Sequence, residues 1–173
     1  LMQIARSDGS YDKAPYSIGT YAQRPYTGGD GRPSTGWHAE FSDVDNDGRA
    51  DLFIAKGNVD QMPGMATKDP NNLLMQKADG TFAESGLRAG IASIKRSRGA
   101  GLADFDGDGL VDILVVNRRS PLQLYRNVSD GGGNWVKVDL QQDGPNRDAI
   151  GAQVLVTTPS HGQSVQKLVG GGH

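Results

Sequence analysis

GWHAEFSDVDNDGRADLFIAKGN, residues 36–58, and RGAGLADFDGDGLVDILVVNRRS, residues 98–120, are two copies of one pattern. Placing Asp43 on Asp104 gives a period of 61 residues. Each copy carries an acidic loop, DVDNDGRAD (residues 43–51) or DFDGDGLVD (residues 104–112), of the form D-x-D-x-D-G-x-x-D. Each loop runs straight into a short apolar stretch, Leu52-Phe53-Ile54-Ala55 or Ile113-Leu114-Val115-Val116. A second strand-like piece follows, Asn72-Leu73-Leu74-Met75-Gln76 or Leu122-Gln123-Leu124-Tyr125-Arg126. In the first copy it leads into the turn Ala78-Asp79-Gly80-Thr81-Phe82. A fixed internal period is the signature of a repeat architecture, in which each copy is one supersecondary unit.

The surrounding chain is read from these two copies outward. Leu1-Met2-Gln3-Ile4 followed by Ser7-Asp8-Gly9-Ser10-Tyr11 resembles the last element of a copy, like the tail of a repeat whose beginning is absent. Residues 15–34, rich in Gly, Pro, Tyr and Thr, read as loops with at most one strand. From Asn134 the pattern changes. Val136, Val138 and Leu140 alternate with Lys137 and Asp139, which predicts a strand. Ala152, Val154 and Val156 alternate with Gln153, Leu155 and Thr157, and Val165, Lys167 and Val169 suggest a third strand. No segment has the periodicity of an amphipathic helix. The expected class is all-β, with residues 1–130 forming repeats (a partial one over 1–35, full ones over about 36–97 and 98–130) and residues 134–173 forming a separate β segment.

Composition supports this reading. The 173 residues carry a net charge of −2, 36% hydrophobic residues and a mean hydropathy of −0.51. No apolar run approaches the roughly 20 residues a spanning helix needs, and there is no basic excess of the kind that marks a nucleic-acid-binding surface. Gly 25 is about twice the usual share, which fits a turn-rich chain. Eighteen of the 20 acidic residues are Asp; the only glutamates are Glu40 and Glu84. Short Asp side chains favour turns and hard-cation sites over helix surfaces. With no cysteine, disulfides, thiolate chemistry and Cys-type zinc sites are excluded. Leu1 opens without a basic or apolar leader, so no signal peptide is expected within this sequence.

The acidic loops carry the chemistry. Alternate Asp residues in a tight loop turn their carboxylates toward a common centre, and Gly48 or Gly109 at the sixth place lets the backbone turn back. The seventh residue can offer its carbonyl and the ninth a last carboxylate. About six oxygens suit Ca²⁺, whereas Mg²⁺ demands a near-ideal octahedron and zinc prefers His or Cys. The expected ligands are Asp43, Asp45, Asp47, the Arg49 carbonyl and Asp51 in one loop, and Asp104, Asp106, Asp108, the Leu110 carbonyl and Asp112 in the other. Two Ca²⁺ sites are thus expected. Eight of the 18 Asp lie in these loops, so a chain of −2 carries +6 elsewhere. Carboxylates about 5 Å apart repel by roughly 1–3 kcal/mol per pair, and a cation removes that cost. An EF-hand would place a bidentate Glu at the twelfth position. Here that position is Ile54 or Val115, and the flanks are strand-like. The loops are therefore expected inside β-hairpins.

GLADFDGDGLVDILVVN followed by PLQLYRN resembles the FG-GAP (VCBS-type) repeat of integrin α-subunits and bacterial surface proteins. NWVKVDLQQDGPNRDAIGAQVLVTT with QKLVGGGH resembles the start of an ASPIC/UnbV domain, the likeness carried by residues 146–154. That order of domains is found in cartilage-acidic-protein-like chains. The resemblance implies four-stranded antiparallel propeller blades, each acidic loop holding Ca²⁺ between strands. A closed propeller typically has four to eight blades, so two copies and a remnant are expected to be part of a larger propeller. It also implies a non-enzymatic, calcium-stabilised segment of an extracellular or periplasmic protein, serving adhesion or protein interaction, with a protein or glycan partner. A glycan-binding or enzymatic propeller with its active groups elsewhere, or an accessory subunit of a larger assembly, are the alternatives.

Other features read as structural. His38, His161 and His173 show no metal spacing, no nucleophile elbow is present, and the Gly clusters lack a strand-to-helix context for phosphate. Lys95-Arg96-Ser97-Arg98 reads as a solvated loop, and Trp37 and Trp135 as strand-end packing residues. Asn127-Val128-Ser129 fits the N-glycosylation sequon. Residues 15–34 and 58–70 are the loops expected to carry binding surfaces.

Overall fold

The computed structural model describes residues 2–22, 35–57, 69–130, 133–159 and 162–167. They divide into two compact units, Leu1–Gly133 and Asn134–His173. Among the described residues the only helical piece is a 3-10 turn at Tyr16–Ile18; everything else regular is antiparallel β-structure. The class is all-β.

Each sequence repeat is one sheet. The first has four strands in sequential order: β3 (Gly36–Ser42), β4 (Asp51–Lys56), β5 (Asn72–Gln76) and β6 (Phe82–Glu84). The second has three: β7 (Ser97–Ala103), β8 (Asp112–Asn117) and β9 (Gln123–Tyr125). Ser42 pairs with Asp51 and Ala103 with Asp112, so each acidic loop closes a β-hairpin, as the strand-like flanks predict. Both hairpins shift register at the same place, between Gly36 and His38 and between Ser97 and Gly99. Such a bulge tightens the local twist, and its recurrence one period later shows that the repeat extends to backbone irregularities.

The expected fourth strand of the second repeat is not formed among the described residues. In the first repeat the chain reverses after β5 through Lys77–Thr81, where Asp79 Oδ1 accepts from the Thr81 N–H (2.9 Å) and hydroxyl (2.7 Å). After β9 the chain continues into Asn127-Val128-Ser129-Asp130, with no such reversal. The reversal does recur near the start of the chain, between β1 (Gln3–Ala5) and β2 (Tyr11–Lys13). There Asp8 Oδ1 accepts from the Ser10 N–H (2.9 Å) and hydroxyl (2.6 Å), and Arg6 N–H donates to Ser10 O as Lys77 N–H does to Thr81 O.

Why β4 and β8 are apolar on both faces follows from how the sheets stack. Phe53 and Ala55 of β4 pack with Ile113 and Val115 of β8, joined by Val44, Leu73 and Ile91. Leu52 and Ile54 point to the other face of β4, where they pack with Leu74, Phe82, Ile18 and Ala22. Ile113 and Val115 are the period equivalents of Leu52 and Ile54. The contact is therefore head-to-tail: one face of a repeat meets the opposite face of the next. Leu114 and Val116, equivalents of Phe53 and Ala55, lie on the outer face of the second sheet, and Val116 is exposed. Repeats that stack this way bury a continuous core.

Lys56 ends β4 fully buried, its ammonium 3.1 Å from the Asp69 carboxylate, while its backbone N–H donates to Asn71 Oδ1 (2.8 Å). The 3-10 turn is pinned through Gly19, whose φ of +87° favours glycine. A Cβ there would lie 2.5 Å from the Phe82 carbonyl. Gly19→Ala is expected to cost about 1–3 kcal/mol, read as a lower urea midpoint; an unchanged midpoint would show that this segment does not support the first sheet.

In the second unit β10 (Gln153–Thr158) pairs with β11 (Gly162–Lys167), Gln153 opposite Lys167. These match the last two strands expected from periodicity. The strand expected over residues 136–140 is absent: that stretch has no regular structure, and Val136 and Val138 are exposed. Alternation alone does not make a strand where no ladder partner and no apolar face receive it.

Candidate metal centre

Both acidic loops are built by one hydrogen-bond scheme. The first Asp turns its carboxylate back over the loop: Asp43 Oδ1 accepts from Asp47 N–H (3.0 Å) and Oδ2 from Gly48 N–H (2.8 Å). Asp104 does the same with Asp108 N–H (3.1 Å) and Gly109 N–H (3.0 Å), and adds Gly107 N–H (2.7 Å). Gly48 and Gly109 have φ of +85° and +87°, as the sixth position requires. Asn46 takes the left-handed turn in the first loop (φ +54°) and Gly107 in the second (+80°).

The ninth Asp of each loop is a staple. Asp51, with no exposed surface, accepts from Val44 N–H at 3.1 Å and from Gln76 N–H at 2.8 Å. Asp112 accepts from Phe105 N–H (3.0 Å) and Asn127 N–H (2.7 Å). One carboxylate thus ties the loop entrance to the end of β5 in the first sheet and to the chain just after β9 in the second.

Of the expected ligands, Asp43, Asp45 and Asp51 bring one oxygen each within 4.8 Å of one another in the first loop. In the second the trio is Asp104, Asp106 and Asp108. Asp47 turns instead to the Arg49 guanidinium. Asp112 is outside its trio. Arg49 and Leu110 donate their N–H groups to Asp47 and Asp108, both at 2.9 Å. Sequence reasoning missed Arg126, which holds Asp106 at 2.6 Å and Asp108 at 3.1 Å.

The donor set fits a hard cation. Oxygens around one Ca²⁺ at about 2.3–2.6 Å lie at most about 5.2 Å apart, and both trios meet that bound with carboxylates alone. In the first loop Asp45 Oδ1 is buried without a hydrogen-bond partner. Burial, then the charges of Asp47 and Asp43, push the Asp45 carboxyl above its ordinary range. Burial likewise pushes Asp51 up to about 6, against the lowering effect of its two backbone N–H partners. In the second loop the Leu110 N–H and Arg126 hold Asp108 below its ordinary range. The first loop is thus the more buried and the less neutralised of the two.

The remaining candidates fall to structural roles. His38 pairs with Glu40 at 3.1 Å on β3, while His161 and His173 lie outside the described residues. The basic cluster is not wholly a solvated loop: Ser97 is buried at the start of β7, and Arg98 stacks 4.5 Å over the Trp37 ring while donating to Gly57 O at 2.9 Å. The Trp37 indole N–H donates to the same carbonyl, whereas Trp135 is exposed. Asn127 donates its side-chain amide to two carbonyls, Val44 O (2.7 Å) and Val111 O (3.0 Å), so the sequon nitrogen is engaged in the folded chain. Of the loops expected to carry binding surfaces, residues 23–34 and 58–68 lie outside the described residues.

Paired hairpins closed by aspartate loops, repeated in sequence and stacked head-to-tail, define an FG-GAP-like repeat protein. The FG-GAP-like repeat family matches residues 43–115 and 104–155, and the chain belongs to it. Among curated proteins it is similar to cartilage acidic protein 1 of Homo sapiens, 41% identical over 64 residues (36% of this chain, 10% of the relative), and of Xenopus tropicalis, 31% identical over 108 residues (62% and 14%). The Mus musculus protein of that name is 39% identical over 64 residues, 36% of this chain and 10% of the relative. The chain therefore spans 10–14% of the length of these relatives. No solved structure matches it significantly.

Proposed function

We propose that each aspartate loop takes one Ca²⁺, and that the chain is a non-enzymatic, calcium-stabilised propeller segment used in protein interaction or adhesion outside the cytoplasm. The observation that carries this reading is Asp45: a buried carboxylate oxygen with no partner, gathered with Asp43 and Asp51 around one point. A carboxylate oxygen buried without a partner is costly, and a cation at that point removes the cost. Recurrence of the loop one period later, at Asp104, Asp106 and Asp108, supports a second site. Under this assignment Asp47, Asp112 and the carbonyls of Arg49 and Leu110 are the remaining first-choice donors. The cation's role is structural, closing each hairpin where carboxylates would otherwise repel.

Extracellular calcium modules bind at about 10⁻⁴–10⁻³ M, an affinity that is useful only where calcium is abundant. The likeness to proteins named for cartilage and the FG-GAP-like family support the extracytoplasmic placement. Among the described residues no helix is long and apolar enough to cross a membrane. Residues 134–173 are assigned as the start of an ASPIC/UnbV domain. In the NRDAIGAQV stretch that carries the likeness, Asn146 braces its own loop, its side chain exchanging two 3.0 Å hydrogen bonds with the Ile150 backbone.

Two substitutions test the reading by their contrast. Asp45→Asn is expected to leave calcium-free stability unchanged or slightly higher, because it removes a charge that burial and the neighbouring Asp47 and Asp43 disfavour, and to abolish the calcium-dependent rise in thermal midpoint from the first loop. Asp51→Asn is expected to destabilise the chain with or without calcium by about 1–3 kcal/mol, since one of the two backbone N–H groups would then face an amide donor instead of an acceptor. Thermal scans with chelator and with calcium read both. Asp45→Asn retaining the full calcium response would remove Asp45 from the site.

A further inference from the structure

The two aspartate loops touch each other. Asn46, in the middle of the first loop, donates its side-chain amide to the carbonyl of Gly109 in the second at 2.9 Å. Asn127 spends its two amide hydrogens on both loops at once, one on Val44 O between Asp43 and Asp45, the other on Val111 O beside Asp112. Its backbone N–H holds the Asp112 carboxylate at 2.7 Å, and its own Oδ1 accepts from the Ser129 N–H and hydroxyl at 3.0 and 2.7 Å. Every bonding group of this half-buried side chain is occupied, so its position is fixed by both loops together.

Resting on the cation reading of these loops, we propose that they load calcium with positive cooperativity, coupled through Asn46 and Asn127. The bridged carbonyls flank the carboxylates that would hold the ions: Val44 lies between Asp43 and Asp45, and Gly109 follows Asp108. A cation that orders one loop fixes its end of these bonds. The other loop then starts with less conformational freedom to lose, and binds more tightly without any gross change of shape. Core packing adds a rigid link, because Val44 of the first loop sits in the same apolar cluster as Ile113, the residue after Asp112. Direct repulsion between two bound cations has the opposite sign, so the sign of the coupling is informative. Asn46 sits at left-handed φ, which glycine adopts freely. Asn46→Gly therefore deletes the amide while keeping the turn.

The test is calorimetric titration of the whole chain with Ca²⁺ alone. It compares the unaltered protein with Asp104→Asn/Asp106→Asn, which disables the second loop, and repeats both in an Asn46→Gly/Asn127→Ala background. Two ions with a Hill coefficient above one are expected, and disabling the second loop should weaken the first by about five-fold or more, the lower end of ordinary couplings. In the Asn-substituted background that difference should shrink toward none. Circular dichroism at high calcium checks folding; if Asn127→Ala does not fold, Asn46→Gly alone should still lower the coupling, since it removes one of the three amide bridges. Two ions bound, with first-loop affinity the same whether or not the second loop is intact, would overturn the coupling and leave the cation reading standing. No uptake by either loop would overturn the cation reading itself, and the coupling with it.

Discussion

Chelation is expected to lower the thermal midpoint of this chain by about 10–20 °C relative to about 10 mM Ca²⁺, the shift coming from two sites each worth about 1.4–2.7 kcal/mol at ten to a hundred times Kd. The physical basis is the imbalance in the loops. Asp43, Asp45 and Asp51 converge around one point with Asp45 Oδ1 unpartnered, and Asp51 is fully buried. Without a cation these charges oppose closing the hairpin; with one they favour it. Because this loop closes the β3–β4 hairpin and its copy closes the β7–β8 hairpin, the loss should propagate to both sheets. Mg²⁺ at the same concentration should restore little, since it dehydrates reluctantly and wants an octahedron. Equal midpoints in chelator and in calcium would refute the account of what closes the hairpins.

Phe53→Ala is the largest single-residue effect expected, about 3–5 kcal/mol. That is a large fraction of the 5–15 kcal/mol by which an ordinary domain is stable. Phe53 has no exposed surface and lies where the first sheet meets the second, packed with Ile113 and Val115. Truncating it leaves a cavity at the junction, so the two repeats should lose stability in one transition. Phe41 offers the internal comparison: also on the first sheet, it is 49% exposed and meets Phe82 edge-on with ring centroids 6.3 Å apart. Phe41→Ala should cost about 1 kcal/mol, little more than the aromatic pair itself. Urea titrations of the two variants measure both; a Phe53→Ala loss no larger than that of Phe41→Ala would show that the head-to-tail junction is not the main core.

Much of this architecture was legible because the motif is local. The nine-residue loops declare their own turns through Gly48 and Gly109, and the apolar runs after them are continuous because β4 is covered on both faces. The hairpin placement, the all-β class and the repeat tail near Asp8 follow from that. What escaped the sequence depended on partners far along the chain. The alternation at Val136 and Val138 looks like a strand, but strand formation needs a ladder partner. The second strand-like pieces, read in parallel, set Gln76 beside Arg126; the structure sets Gln76 beside Asn127, because their N–H groups hold Asp51 and Asp112 in the same way. Buried Lys56 looks like an ordinary strand-end charge until Asp69, thirteen residues on, is found against it. Within the sites, eight carboxylates in two identical patterns gave no hint that Arg49 and Arg126 would claim Asp47 in one loop and Asp106 with Asp108 in the other. Spacing defines the candidate donors; which oxygens converge is decided by the cations and amides that neighbouring strands bring.

Anomalous X-ray scattering from crystals grown with calcium would locate the ions themselves. Two peaks are expected, one with carboxylate oxygens of Asp43, Asp45 and Asp51 at about 2.3–2.6 Å and one likewise at Asp104, Asp106 and Asp108. Loops holding only water, with Asp45 turned out to solvent, would contradict the cation reading.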